Sequence, residues 1–123
     1  MKHRRTAVCA LLLLVALLLA GCSGDDADVP VPEGDYVRIQ VDGKTVQIVP
    51  LGEPRTVTLR QETGETNVIR ITENGVYMES SNCHNQDCVR MGEVDRENWE
   101  TRVNGAFIIC LPHRVTVELV VRE

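Results

Sequence analysis

From Tyr36 onward, apolar and polar residues alternate with a period of two, and most of the apolar ones are Val and Ile. That period puts every second side chain on one face of an extended strand, whereas an amphipathic helix needs apolar residues three and four apart. Val37, Ile39 and Val41 share one face, with Tyr36, Arg38 and Gln40 on the other. Asp42-Gly43 is a favoured two-residue turn into 44–49, where Val46 and Ile48 alternate with polar neighbours. Val57 and Leu59, then Ile69 and Ile71, continue the pattern, and Asn74-Gly75 turns the chain into 76–80. Residues 106–110 form a continuous apolar run, expected to be buried on both faces, and Pro112 separates it from a long alternating strand with Val115, Val117, Leu119 and Val121. β-branched residues crowd these segments, and nothing here reads as a helix of three turns. The expectation is an all-β domain, a small barrel or sandwich of about seven short, mostly antiparallel strands.

The first residues obey a different rule. Met1-Lys2-His3-Arg4-Arg5 is a basic start, 6–19 is almost wholly apolar, and Ala20-Gly21 supplies small residues before Cys22. This is the n-region, h-region and cleavage site of a secretory signal. The apolar stretch is short of the roughly 20 residues a membrane-spanning helix needs, and no basic residue closes its far end. Leu19-Ala20-Gly21-Cys22 resembles the lipobox of bacterial lipoproteins, in which the cysteine thiol takes a diacylglycerol and its freed amine a further chain. Each buried methylene contributes about 0.8 kcal/mol, so two or three chains hold where one does not. Residues 1–21 are expected to be a lipoprotein signal peptide, and Cys9 leaves with it.

Residues 22–34 carry acids, small residues and two prolines without apolar periodicity, and read as a tether. The folded domain is expected over 35–123. Removing Lys2, Arg4 and Arg5 leaves ten basic residues against eighteen acidic ones, a balance of −8. A domain so acidic should cling neither to nucleic acid nor to an anionic membrane by charge alone.

Between residues 82 and 104 the alternation lapses into a polar connection with a single Trp99. Cys83 and Cys88 lie there, and Cys110 ends the apolar run. Export permits a disulfide. A Cys83–Cys88 link closes a six-residue ring, worth ~2 kcal/mol of chain entropy, against ~3.6 for a Cys83–Cys110 link. Proximity in the chain favours Cys83–Cys88, with Cys110 a buried small hydrophobe; a link through Cys110, free thiols and metal stay open. Cys83, Cys88, Cys110 and His113 make a formal Cys₃His zinc set, but the spacing lacks the paired tight turns of a zinc knuckle. His84 directly follows Cys83, which fails the Cys-x-His of a Rieske cluster, and no Cys-x-x-Cys-His haem attachment occurs. Nor does a helical pattern follow Cys88 to activate a redox thiol. No Ser-His-Asp arrangement, phosphate-cradling Gly loop or carboxylate pair stands out; Asp95, Glu97 and Glu100 read as a solvated loop. The chain is expected not to be an enzyme, and to need no cofactor and no metal.

The segment Asn82-Cys83-His84-Asn85-Gln86-Asp87-Cys88-Val89-Arg90-Met91-Gly92, followed by Ile108-Ile109-Cys110-Leu111-Pro112-His113-Arg114-Val115, resembles the NusG domain II family. The family has a Cys-x4-Cys-Val-x-x-Gly segment before an apolar strand ending in Cys-Leu-Pro. Asp42-Gly43-Lys44 and Asn67-x-Ile69-x-Ile71 resemble its N-terminal half, so the likeness covers about 35–123. It implies a small all-β module without established enzymatic activity, found inserted in some NusG factors and as stand-alone exported proteins. His84 stands where the family commonly has Pro, and the 93–104 connection is longer than usual. With an export signal and without a NusG N-terminal domain or KOW segment, transcription is not the expected role. The expected role is a module on the extracytoplasmic face of the cell membrane, held by lipid on Cys22, that serves an unidentified envelope protein. The alternative is a thiol-disulfide or electron-transfer accessory protein using Cys83, Cys88 and Cys110.

Overall fold

The computed structural model describes residues 29–122, so the expected signal peptide, Cys22 and the first part of the expected tether lie outside the described residues. Eight strands run β1 (Tyr36–Val41), β2 (Lys44–Pro50), β3 (Arg55–Arg60), β4 (Thr66–Ile71), β5 (Gly75–Ser81), β6 (Val94–Asp95), β7 (Phe107–Cys110) and β8 (Val115–Val120). A single helical turn, α1 (Asp87–Arg90), sits between β5 and β6. The strands form two four-stranded sheets, ordered β2-β1-β8-β7 and β3-β4-β5-β6, with every pairing antiparallel. The all-β expectation holds.

One core joins the sheets. Val37, Ile39, Val49, Ile108, Val115, Val117 and Leu119 come from the first, and Val57, Ile69, Ile71, Val76, Met78 and Val94 from the second. The alternation is cleanest on β8, where Val115, Val117 and Leu119 are buried and Thr116, Glu118 and Val120 are only partly covered. Asp42 and Gly43 both take positive φ, 52° and 77°, as the tight turn between right-twisted strands requires. On the far face of β1, Tyr36 is buried as well (3% exposed), because the Arg38 and Arg122 guanidiniums lie over its ring at 5.7 and 5.3 Å. Arg38 also reaches Glu118 directly opposite on β8, at 3.1 Å.

Several local expectations change. Register slips between Ile39 and Gln40, so that Val46 becomes an extra residue in β2. Val46 is consequently 47% exposed, and Val49 is the strand's buried residue. The 106–110 run is not covered on both faces: β7 is a sheet edge, and Phe107 faces outward. Asn74-Gly75 does turn the chain, but Gly75 is needed for another reason. A Cβ there would stand 2.1 Å from the Val94 carbonyl oxygen, so β6 can pair with β5 only against a glycine.

The polar connection is not a plain solvated loop either. Asp95 accepts from the Glu97 and Asn98 amides at 2.9 and 2.8 Å, while Asn98 Oδ1 accepts from the Asp95 amide at 2.9 Å. These reciprocal bonds build a turn that the charge pattern hid. Trp99 packs on the core beside it. Arg102 donates to the carbonyls of Met91 and Gly105, at 2.7 and 2.9 Å, and so ties the connection to itself.

Candidate functional site

Two neighbouring segments and one remote in sequence meet at one point. Cys83 follows β5, Cys88 lies within α1, and Cys110 ends β7; all three are buried. Their sulfurs lie within 4.8 Å of one another. Cys83 Sγ and Cys88 Sγ stand 3.7 Å apart, as free thiols. Cys110 is thus both the buried small residue its apolar run suggested and a full member of the cluster.

The backbone around the cluster is shaped for it. Register between β4 and β5 slips after Val68, which makes Glu79 an extra residue and places Ser81 opposite Asn67. The slip sends Ser81 inward, where its hydroxyl lies 3.9 Å from Cys110 Sγ and accepts from the Cys83 amide at 3.2 Å. Asn82 fastens the next residue to the β3–β4 hairpin, accepting from the Thr66 amide at 2.8 Å and donating to the Gly64 carbonyl at 3.0 Å. Gln86 takes a left-handed φ of 57° that turns the chain into α1. Its amide nitrogen reaches back to the carbonyls of Ser81 and Cys83, at 2.7 and 2.6 Å, and to Cys83 Sγ at 3.8 Å. Arg90 pairs with Asp87 and with the Asn85 carbonyl across the outside of the turn. The loop is held almost entirely by polar side chains returning to nearby backbone, a pattern without hydrophobic periodicity.

The three thiols are not equivalent. Burial, with Cys110 alongside, pushes Cys88 up to about 12. Burial opposes ionisation of Cys83 too, but hydrogen bonds from Ser81, Gln86 and the other two thiols outweigh it and leave Cys83 below its usual value. Where no helical pattern was expected to follow Cys88, a single turn, Asp87–Arg90, encloses it.

The histidines do not join the cluster. His113 is buried, with Nδ1 2.7 Å from Asn67 Oδ1, and Gln61 donates to its carbonyl at 2.8 Å. The Asn67–His113 pair is a polar bridge between the sheets that sequence spacing did not disclose. His84 is exposed. The Cys₃His set therefore reduces to three cysteines, able either to form a disulfide or to hold a thiophilic metal.

Beside the cysteines runs a groove of about 190 Å³ lined by Asn85, Asp87, Met91, Asn104, Ile109 and Leu111. Its walls are the same segments that carry the thiols. Leu111 is 77% exposed there, next to a Cys110 that is 1% exposed. A wider concavity of about 600 Å³, walled by Trp99, Phe107, Leu119 and Val121 among others, includes none of the three cysteines.

Three solved structures share the fold at low identity. A DUF1312 family protein from Enterococcus faecalis is 21% identical, with a TM-score of 0.61 over 72% of this chain and 99% of that one. The Lin0431 protein from Listeria innocua is 22% identical, with a TM-score of 0.61 over 74% and 100%. A DUF1312 family protein from Ruminococcus gnavus, 28% identical, superposes with a TM-score of 0.54 over 69% and 96%. Among curated proteins none matches the sequence. The model of the NusG domain II family matches residues 8–123, and the chain belongs to that family.

Proposed function

We propose that this protein is a non-catalytic, extracytoplasmic lipoprotein module, anchored through lipid on Cys22, that engages another envelope protein through the surface beside its three cysteines. The observation that carries the reading is Leu111. It stands 77% exposed at the lip of the groove, fixed there by a tight turn in which the Arg114 amide donates to its carbonyl at 3.1 Å. An exposed leucine on a rigid turn, with Ile109 and Met91 beside it and Asp87 at the rim, has the apolar centre and polar edge of a small docking site. The lipobox supports the location. The −8 balance left after cleavage works against nucleic acid as a partner and makes lipid the means of staying at the membrane.

In an oxidising compartment Cys83 and Cys88 close to a disulfide, their two electrons and two protons passing to the disulfide of a partner oxidoreductase. A second reading, thiol-disulfide exchange as the function itself, is favoured by the 3.7 Å between these sulfurs. The degree of burial favours a structural staple instead, since an attacking thiolate has little access to Cys83 at 5% exposure.

Cross-linking in whole cells, followed by fractionation, tests the proposal. The full chain should sit in the membrane fraction and cross-link to one defined envelope protein. Leu111→Glu should stay membrane-bound and lose that cross-link, while Cys22→Ala should lose lipid labelling and leave the membrane fraction. A Leu111→Glu chain that keeps its partner sinks the docking surface, and a processed, membrane-bound Cys22→Ala chain sinks the anchor. A Cys83–Cys88 pair that cycles readily under mild reductant moves the assignment to the second reading.

A further inference from the structure

We propose that the reduced protein binds one copper(I) ion through Cys83, Cys88 and Cys110, as a trigonal three-sulfur site. The geometry comes first. A metal bonded to three thiolate sulfurs at about 2.3 Å sets them about 4.0 Å apart in a plane. Here the three sulfurs lie within 4.8 Å of one another, and the Cys83–Cys88 pair is at 3.7 Å. Closing the triangle asks for displacements of a few tenths of an ångström, within the reach of side-chain torsions.

Ligand number then selects the ion. Zinc in a structural site takes four ligands, and thiolate iron–sulfur clusters take four cysteines. Among the described residues no imidazole or carboxylate joins the three sulfurs. His113, the nearest candidate by sequence, has its Nδ1 engaged by Asn67. Cys88 and Cys110 are 0% and 1% exposed, which leaves little room for a water as fourth ligand. Copper(I) is soft, prefers thiolate, and is stable with three sulfurs and nothing else.

The surroundings suit a negatively charged sulfur triangle. Gln86 Nε2 points at Cys83 Sγ from 3.8 Å, and the Ser81 hydroxyl faces Cys110 Sγ from 3.9 Å. Outer hydrogen bonds of this kind orient sulfur ligands and spread their charge. The ion enters as copper(I), so no electron moves. Each Cu–S bond takes the place of an S–H bond, and the protons leave to solvent. Binding needs both members of the Cys83–Cys88 pair reduced, so a disulfide there and the metal site exclude each other. This inference does not depend on the partner reading, because metal binding requires neither Leu111 nor lipid.

The test is anaerobic titration of the reduced full chain with copper(I) held by a competing chelator. The expected result is one copper per chain, with X-ray absorption reporting three sulfur neighbours and no nitrogen or oxygen. Cys110→Ala should weaken binding roughly a hundredfold, the upper end of what even an outer-sphere loss costs a metal site. Oxidation of the Cys83–Cys88 pair should abolish it. Two sulfur neighbours in the wild-type spectrum would overturn the proposal without reference to any variant's folding. So would Cys110→Ala binding as tightly as wild type, or zinc displacing copper into a four-coordinate site.

Discussion

The β1–β8 pair and the connection from Cys83 to Asn104 are built on opposite principles. Along β1 and β8, Val37, Ile39, Val115, Val117 and Leu119 stack behind a regular ladder, and every one is buried. In the connection, where Cys83, Cys88 and Val94 are the buried residues and Trp99 packs on the core, much of the fastening is by side-chain bonds to backbone, from Gln86, Asp95, Asn98 and Arg102. The sheets draw their stability from apolar area removed from water, whereas the connection draws its shape from directed hydrogen bonds, each worth about 1 kcal/mol net. The candidate site sits on the second kind of structure, supported by the first.

Three measurements test this contrast. The largest effect belongs to the core: Ile69→Ala, at a fully buried position, should cost about 4 kcal/mol in chemical denaturation and leave no lasting change at the thiols of the folded fraction. A loss below about 1 kcal/mol would mean that the sheets are not held as described. Next, Gln86→Ala removes the donor to two carbonyls and should cost about 1–2 kcal/mol, with a disproportionate rise in alkylation rate at Cys83. Unchanged thiol reactivity would show that the loop keeps its shape without those bonds. The smallest effect joins the two regions. Asp35, just before β1, accepts from Arg96 of the connection at 2.6 Å and from the Arg122 amide at 2.8 Å, and these bonds hold its carboxyl below the ordinary 3.8. A depressed carboxyl pKa contributes stability that is present above 3.8 and lost as pH falls through the lowered folded value. Asp35→Asn should therefore flatten the acid limb of stability against pH between 3.8 and the lowered folded value, and an unaltered limb would remove Asp35 as the link.

How much of this was legible depended on how local each cause is. β8 could be read directly because three valines and leucines at period two need only one face of one strand to be apolar. Asp42-Gly43 could be read because positive φ at both residues is a property of two adjacent residues. The bulges at Val46 and Glu79 could not, since a slip in register is set by the partner strand and reverses which residues face inward. Gly75 carried a turn signal locally, while its closest constraint comes from Val94, nineteen positions along the chain. β7 looked doubly buried because an apolar run does not say whether its strand is central or at an edge.

The cysteines divide in the same way. The family and the all-β architecture could be read from residue types at short fixed spacings along the chain, and the same spacings carry the expectations of a Cys83–Cys88 link and of lipid on Cys22. That Cys110 completes a triangle of sulfurs, and that His113 turns to Asn67 instead, follows from packing in three dimensions. The reason is physical. Cys83 and Cys110 are brought together by the meeting of β5 with α1 and of α1 with β7, contacts between the two sheets that no spacing along the chain encodes.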